Sequence, residues 1–255
     1  MILKGDLKRA RPIFLVVGTD TGVGKTIFSG LLGKYLRGRG VGLRLAKPFC
    51  SGGRGDVEFL QVCSALGQAE VNYWYDDEPI SPAAWELRTG KSGYFEGCVE
   101  WLKKIERGRL KSEGEVLLVE GVGGLLAPLA KGKTVASLGQ VLGAKLIVVA
   151  SNRVGVVNHV LLTLEAAMAR GLSVACVVLI GQENPDASSM DNAELIRMNM
   201  PNNLHLKEVY EFPWLGKGAD DLELITINVK KSENVLENIF DEVFKPYSIN
   251  VLGNK

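Results

Sequence analysis

The run G-T-D-T-G-V-G-K-T, Gly18 to Thr26, constrains the fold of this chain more than any other feature. It follows the apolar, β-branched stretch Ile13 to Val17. It leads straight into a helical pattern, Lys25 to Arg39, which Gly40 stops. Strand, glycine loop and helix in that order cradle a phosphate group. Backbone N–H groups of the loop point at the anion, and the helix N-terminus adds its positive end. Glycines let the chain close around phosphate oxygens where a Cβ would collide. Thr19, Asp20, Gly22, Val23 and Gly24 are expected to form the cradle. Lys25 reaches the outer phosphates of a nucleoside triphosphate, and Thr26 offers its hydroxyl to Mg²⁺. The match departs from the strict pattern: five places before Gly24 stands Thr19, and the first glycine, Gly18, comes one earlier.

Further short apolar runs follow: Leu43 to Ala46, Val116 to Val119, Leu146 to Val149 and Ala175 to Ile180. Near-continuous apolar character marks strands buried on both faces. Helical patterns separate them, over Phe95 to Arg107 and over His159 to Arg170, the latter closed by Gly171. The alternation predicts an α/β fold, a doubly wound, mostly parallel sheet flanked by helices and similar to P-loop NTPases. Ligands of such sheets bind beyond the carboxyl ends of the strands. Ser232 to Phe244 reads as a short amphipathic helix, with Val235, Leu236, Ile239, Phe240 and Val243 packed on one side.

Lys plus Arg is 30 and Asp plus Glu 29 in 255 residues, too even for a general nucleic-acid or membrane-surface binder. No apolar stretch approaches a membrane span. The basic residues Lys4, Lys8, Arg9 and Arg11 precede an apolar run too short for a signal peptide. Cys50, Cys63, Cys98 and Cys176 lack C-x-x-C spacing and read as buried, idle thiols of a reducing compartment. A cytoplasmic location is the expectation.

The second predicted strand ends in K-P-F-C-S-G-G, Lys47 to Gly53, which sets Lys47 and Ser51 beside the phosphate loop. A lysine there either stabilises a transferring phosphoryl group or is a solvated residue before a turn. Asp56 opens the next helix, as an N-terminal acid or as a metal ligand. Val116 to Val119 runs into E-G-V-G-G, so Glu120 stands at the strand tip. Thr26, Asp56 and Glu120 together make an oxygen shell suited to Mg²⁺. His159 and His205 are the only histidines, too few for a histidine-built metal or hydrolase site. His159 lies in G-V-V-N-H at a helix start and reads as structural.

Taken together, these motifs resemble the dethiobiotin synthetases. The matching segments are Gly18 to Thr26, Lys47 to Gly52, Asp56, Glu78 to Pro82, Val119 to Gly124, Gly155 to His159 and Pro213 to Leu215. The resemblance covers about residues 12–216. It implies one domain over residues 1–255, with 217–255 as a C-terminal extension, and an ATP- and Mg²⁺-dependent ring closure. In that reaction, 7,8-diaminopelargonic acid takes up CO₂ as a carbamate. The carbamate accepts the γ-phosphoryl group, and the second amine displaces phosphate to close the ureido ring. The resemblance assigns Thr21, Lys47 and Ser51 to the carbamate, Lys25 to the phosphates, and Thr26, Asp56 and Glu120 to Mg²⁺. It assigns Gly155 and Asn158 to the carboxylate end of the diamine across a homodimer interface.

Two departures stand out. Gly22 occupies a place where some members carry an acid. The run V-L-I-G-Q, Val178 to Gln182, replaces the A-N-D whose Asn reads the base, so Ile180 or Gly181 stands at the Asn position and Gln182 and Asn184 are the nearest amides. Two other readings compete with this one. An amide-forming P-loop ligase of the cobyrinate diamide synthase type carries a glutamine-hydrolysing domain, for which this chain is too short. A partition-type switch ATPase carries a second lysine early in the loop, where Asp20 stands here.

Overall fold

A computed structural model of the chain describes residues 12–107, 116–201 and 208–247. The basic segment before Pro12 and His205 lie outside the described residues. In chain order the elements are β1 (Ile13–Gly18), α1 (Lys25–Gly38), β2 (Leu43–Ala46), β3 (Phe49–Ser51), α2 (Gly55–Ser64), α3 (Gln68–Val71), β4 (Trp74–Asp76), α4 (Pro82–Thr89) and α5 (Tyr94–Arg107). Then come β5 (Val116–Gly124), β6 (Pro128–Ala130), β7 (Lys133–Thr134), α6 (Val135–Leu142), β8 (Lys145–Ser151), α7 (Val156–Met168), β9 (Val174–Ile180), α8 (Asn192–Asn199), β10 (Val209–Phe212), α9 (Ile225–Lys231) and α10 (Glu233–Ile239).

Six strands form one sheet in the order β10-β9-β8-β1-β5-β2, and every neighbouring pair is parallel. The alternation along β1 shows why both faces are covered. Ile13, Leu15 and Val17 point into one apolar cluster, with residues of α5, α6 and α7. Phe14 and Val16 point into the other, with residues of α1, α2 and α10. The predicted doubly wound α/β architecture is therefore observed. β1 lies fully buried near the middle of the sheet, so the loop leaving its carboxyl end emerges at the centre of that edge.

The amphipathic C-terminal pattern packs as expected but not as one regular helix. α10 gives way to a π-helical turn over Phe240–Phe244. The wider turn keeps Phe240 and Phe244 on the buried side together with Leu236 and Ile239. The Phe244 ring sits 4.6 Å from that of Phe14, which ties this segment to the central strand. All four cysteines are free and buried.

Candidate active site

The phosphate loop has the expected local shape. Gly24 caps α1 in the left-handed region, at φ 93°, and Lys25 is the first helical residue. The Thr19 N–H donates to Val149 O at 3.0 Å, which pins the loop to β8. The Thr21 N–H donates to Asp20 Oδ1 at 2.6 Å, and Lys25 Nζ to Asp20 O at 3.1 Å. Gly18 has no space for a side chain. A Cβ there would meet Asp20 O, would stand 2.8 Å from Gly123 O, and would stand 2.9 Å from Lys25 Nζ. The end of β5 thus packs against the loop at van der Waals distance, which is why glycines occur on both segments.

Glu120 requires a correction. It is not at a strand tip, because β5 runs on through the glycines to Gly124 and Glu120 pairs with Val16 inside the ladder. Glycine lacks the bulk to end an extended run when a neighbouring strand offers hydrogen bonds. Glu120 is consequently 1% exposed, a carboxylate that needs partners. It has two. Thr26 Oγ1 donates to Glu120 Oε1 at 2.8 Å, and Lys47 Nζ to the same oxygen at 2.6 Å. Lys47 also donates to Asp56 Oδ2 at 2.6 Å.

Lys47 is therefore neither solvated nor free. Burial alone would lower its pKa, but Glu120 and Asp56 more than offset that and raise it above the ordinary lysine range. Lys25 goes the other way. Burial lowers its pKa, Glu120 opposing and Lys47 adding to the fall. The second Glu120 oxygen, Oε2, is buried with no hydrogen-bond partner. An orphaned carboxylate oxygen beside a threonine hydroxyl at a phosphate loop suits a Mg²⁺ ion. Among the described residues no cage of three or more His, Cys, Asp or Glu forms. An ion here would complete its shell with phosphate and water oxygens.

Ser51 ends β3, paired with Asp76 of β4 in a two-stranded piece outside the main sheet. Gly155 caps α7 in the left-handed region at φ 87° with no side-chain cap, and Asn158 is exposed in the first turn. No hydrogen bond or ion pair joins either to the Lys47 cluster within one chain. α7 begins at Val156, three residues before the expected start, and the His159 side chain is exposed, so it takes no part in the core.

Beyond β9 the surroundings change. Ile180 lies over the loop, 3.3 Å from where a Gly24 Cβ would be. The Gly181 N–H donates to Phe212 O at 2.8 Å, and a Cβ at Gly181 would stand 2.9 Å from Trp214 N. That close approach is not legible in the sequence, because β10 is a short V-Y-E-F run that periodicity passes over. The Gln182 amide nitrogen turns back to Ile180 O and Gly181 O at 2.9 and 3.0 Å.

A family model described as an AAA domain matches residues 13–217. The ATP-dependent dethiobiotin synthetase of Corynebacterium kroppenstedtii is 36% identical over 183 residues, 70% of this chain and 76% of that protein. That of Mycobacterium avium is 32% identical over 84% of this chain and 97% of its own length. The chain belongs to the dethiobiotin synthetase family. The Bacillus subtilis synthetase is 31% identical over 72% of this chain and 80% of its own. A synthetase of this family works with ATP, which accords with the phosphate loop and with Lys25 and Thr26 at the head of α1.

Proposed function

We propose that the chain closes the ureido ring of dethiobiotin from 7,8-diaminopelargonic acid, CO₂ and ATP. The observation that carries this reading is the buried Lys47, held between Asp56 and Glu120 at the carboxyl edge of the sheet beside Thr26. A general ATPase needs a phosphate loop and a metal-side acid. A second buried lysine donates to two acids and has a third N–H for one more anion, and the carbamate is such an anion.

The chemistry asks the protein for position and charge. Lys25 and the N–H groups of the loop hold the triphosphate. Thr26, Glu120 and Asp56 would hold Mg²⁺, which would neutralise charge on the phosphates. Thr21, whose side chain lies beside Gly123, and Ser51 orient the carbamate oxygen toward the γ-phosphoryl group, with Lys47 stabilising the charge between them. The carbamate oxygen attacks phosphorus and ADP departs. The second amine then attacks the carbamoyl carbon, and phosphate leaves as the ring closes. That last step is intramolecular, so holding the substrate folded supplies most of the acceleration.

Gly155 and Asn158 serve the partner subunit. Asn158 and Leu162 share an exposed face of α7, and Val154, Met190 and Met198 are also large apolar side chains left exposed. A homodimer that buries this face brings the α7 N-terminus to the carboxylate tail of the diamine in the other subunit. The four buried, unpaired thiols fit a reducing, cytoplasmic setting. No described helix is long and apolar enough to cross a membrane. The core and the segment after residue 217 act as one domain, joined through Phe14 and Phe244.

The test is ADP release with diaminopelargonate, bicarbonate and Mg²⁺ together. Turnover should require all three. ATP turnover that ignores the diamine and responds to a macromolecular partner instead would favour the switch-ATPase reading.

A further inference from the structure

One cation at the rim of the site has no acid to neutralise it. Arg54 lies in S-G-G-R-G-D, between Ser51 and Asp56. Both ends of that segment are fixed. The Gly52 N–H donates to Asp76 O at 3.1 Å, and Asp56 is bonded to Lys47. Arg54 is itself the cap of α2, with its carbonyl accepting from the Glu58 N–H at 2.9 Å. Its guanidinium lies over the Tyr75 ring at 3.7 Å from the centroid, and the Tyr75 hydroxyl donates to Asp77 at 2.7 Å. The stack holds the fork by its face and leaves its edge donors open.

Among the described residues Arg54 forms no ion pair. Lys47, by contrast, already shares its charge between two carboxylates. Tyr75, which carries the guanidinium, pairs with Cys50 across β3 and β4, one strand position before Ser51, so the stack stands beside the strand end that bears Ser51. An incoming planar anion at Ser51 thus meets a lysine balanced by acids and an arginine that is not. A guanidinium edge matches the two oxygens of a carboxylate-like group as well as those of a phosphoryl group, and at Ser51 the anion that the ring-closing reading places is the carbamate.

We propose that Arg54 is a further substrate-binding residue, whose open guanidinium edge takes the carbamate at the Ser51 side of the site. Tyr75 is the platform that aims it. The proposal rests on the ring-closing reading above and deepens it.

The experiment compares steady-state turnover of wild type, Arg54→Gln, Arg54→Lys and Tyr75→Leu, with diamine, bicarbonate and Mg·ATP varied separately. Loss of a charge-assisted contact should raise the KM for diamine and bicarbonate in Arg54→Gln by about ten- to a hundredfold. The KM for Mg·ATP should stay within about twofold, since the loop holds the triphosphate independently. Arg54→Lys should recover part of the loss and Tyr75→Leu should show a smaller one in the same direction. Unchanged diamine and bicarbonate KM values in Arg54→Gln would overturn the proposal. So would an equal rise for Mg·ATP, which would make Arg54 a phosphate ligand. A wild-type protein that turns over ATP without regard to diamine fails the ring-closing reading itself, a separate outcome.

Discussion

The two halves of the nucleotide site are built by opposite means. The phosphate half, Gly18 to Thr26 with Lys47, Asp56 and Glu120, is charged and cross-bonded between three strands and two helices, with Lys25, Lys47 and Glu120 buried. The half beyond β9, where Ile180 and Gly181 stand against Phe212 to Trp214, presents apolar side chain and backbone. There Gly181 is bonded to Phe212 O, and the Gln182 amide folds onto its own chain. One half fixes where the reacting phosphate sits. The other offers a surface with few groups to read a base. Binding energy and chemistry are concentrated on the triphosphate end, so substitutions should act far more strongly there.

The largest effect is expected from Lys47→Ala. Removing one such electrostatic contact costs roughly 10²–10³ in kcat. Nucleotide affinity should hold, because Lys25 and the loop remain. The substitution also strips a buried carboxylate, Glu120, of its cation, so stability should fall by about 3–5 kcal/mol. Denaturant titration separates that loss from the catalytic one. Wild-type turnover in a folded Lys47→Ala protein would remove Lys47 from the chemistry.

The shared-site arrangement gives the next largest change. Lys47→Ala and Asn158→Ala chains should each be nearly inactive alone. Random exchange makes half the dimers mixed, and each mixed dimer keeps one intact site, so about a quarter of wild-type activity should return. No recovery after exchange is confirmed by mass spectrometry would confine both residues to one subunit.

Glu120→Gln should raise the half-saturating Mg²⁺ concentration by about tenfold or more, and Asp56→Asn by less, since Asp56 is exposed and shares the ion with water. Titration of turnover against Mg²⁺ at fixed ATP decides it. An Asp56→Asn profile identical to wild type would leave Asp56 only as the partner of Lys47 and the first turn of α2.

The same contrast explains what could be read in the sequence. The central strands announced themselves because β1, β5, β8 and β9 are buried on both faces and so almost wholly apolar. The phosphate loop was legible because anion binding by backbone demands glycine at fixed places. The pairing of Lys47 with both acids was not. It depends on β2 lying next to β5, and that adjacency brings residues 73 positions apart to 2.6 Å. Nor could the length of β5 be seen, since a glycine run looks like a loop until a neighbouring strand holds it extended. β10 was missed because four residues are too few for a period. β10 leads directly into Pro213 and Trp214, which stand against Gly181.

The smallest expected effect lies on that base side. At the position where the family resemblance leads one to expect an asparagine stands Ile180 or Gly181, and neither side chain offers a donor or acceptor. Gly181 cannot be the compensating residue by substitution either, since a side chain there would strike the Trp214 backbone. Gln182 has its amide nitrogen engaged, leaving one acceptor oxygen. Two net hydrogen bonds at about 1 kcal/mol each amount to roughly thirtyfold in selectivity, and their loss should bring ATP, CTP and GTP toward similar kcat/KM under identical Mg²⁺. Ile180→Asn should restore about one such bond, hence about a fivefold gain for ATP over GTP. A wild-type preference for ATP above about 10³ would exceed what this half of the site can supply and would require a base reader elsewhere. An Ile180→Asn protein with unaltered ratios would show that the base does not stand against β9, which would break the division between the two halves at its weaker side.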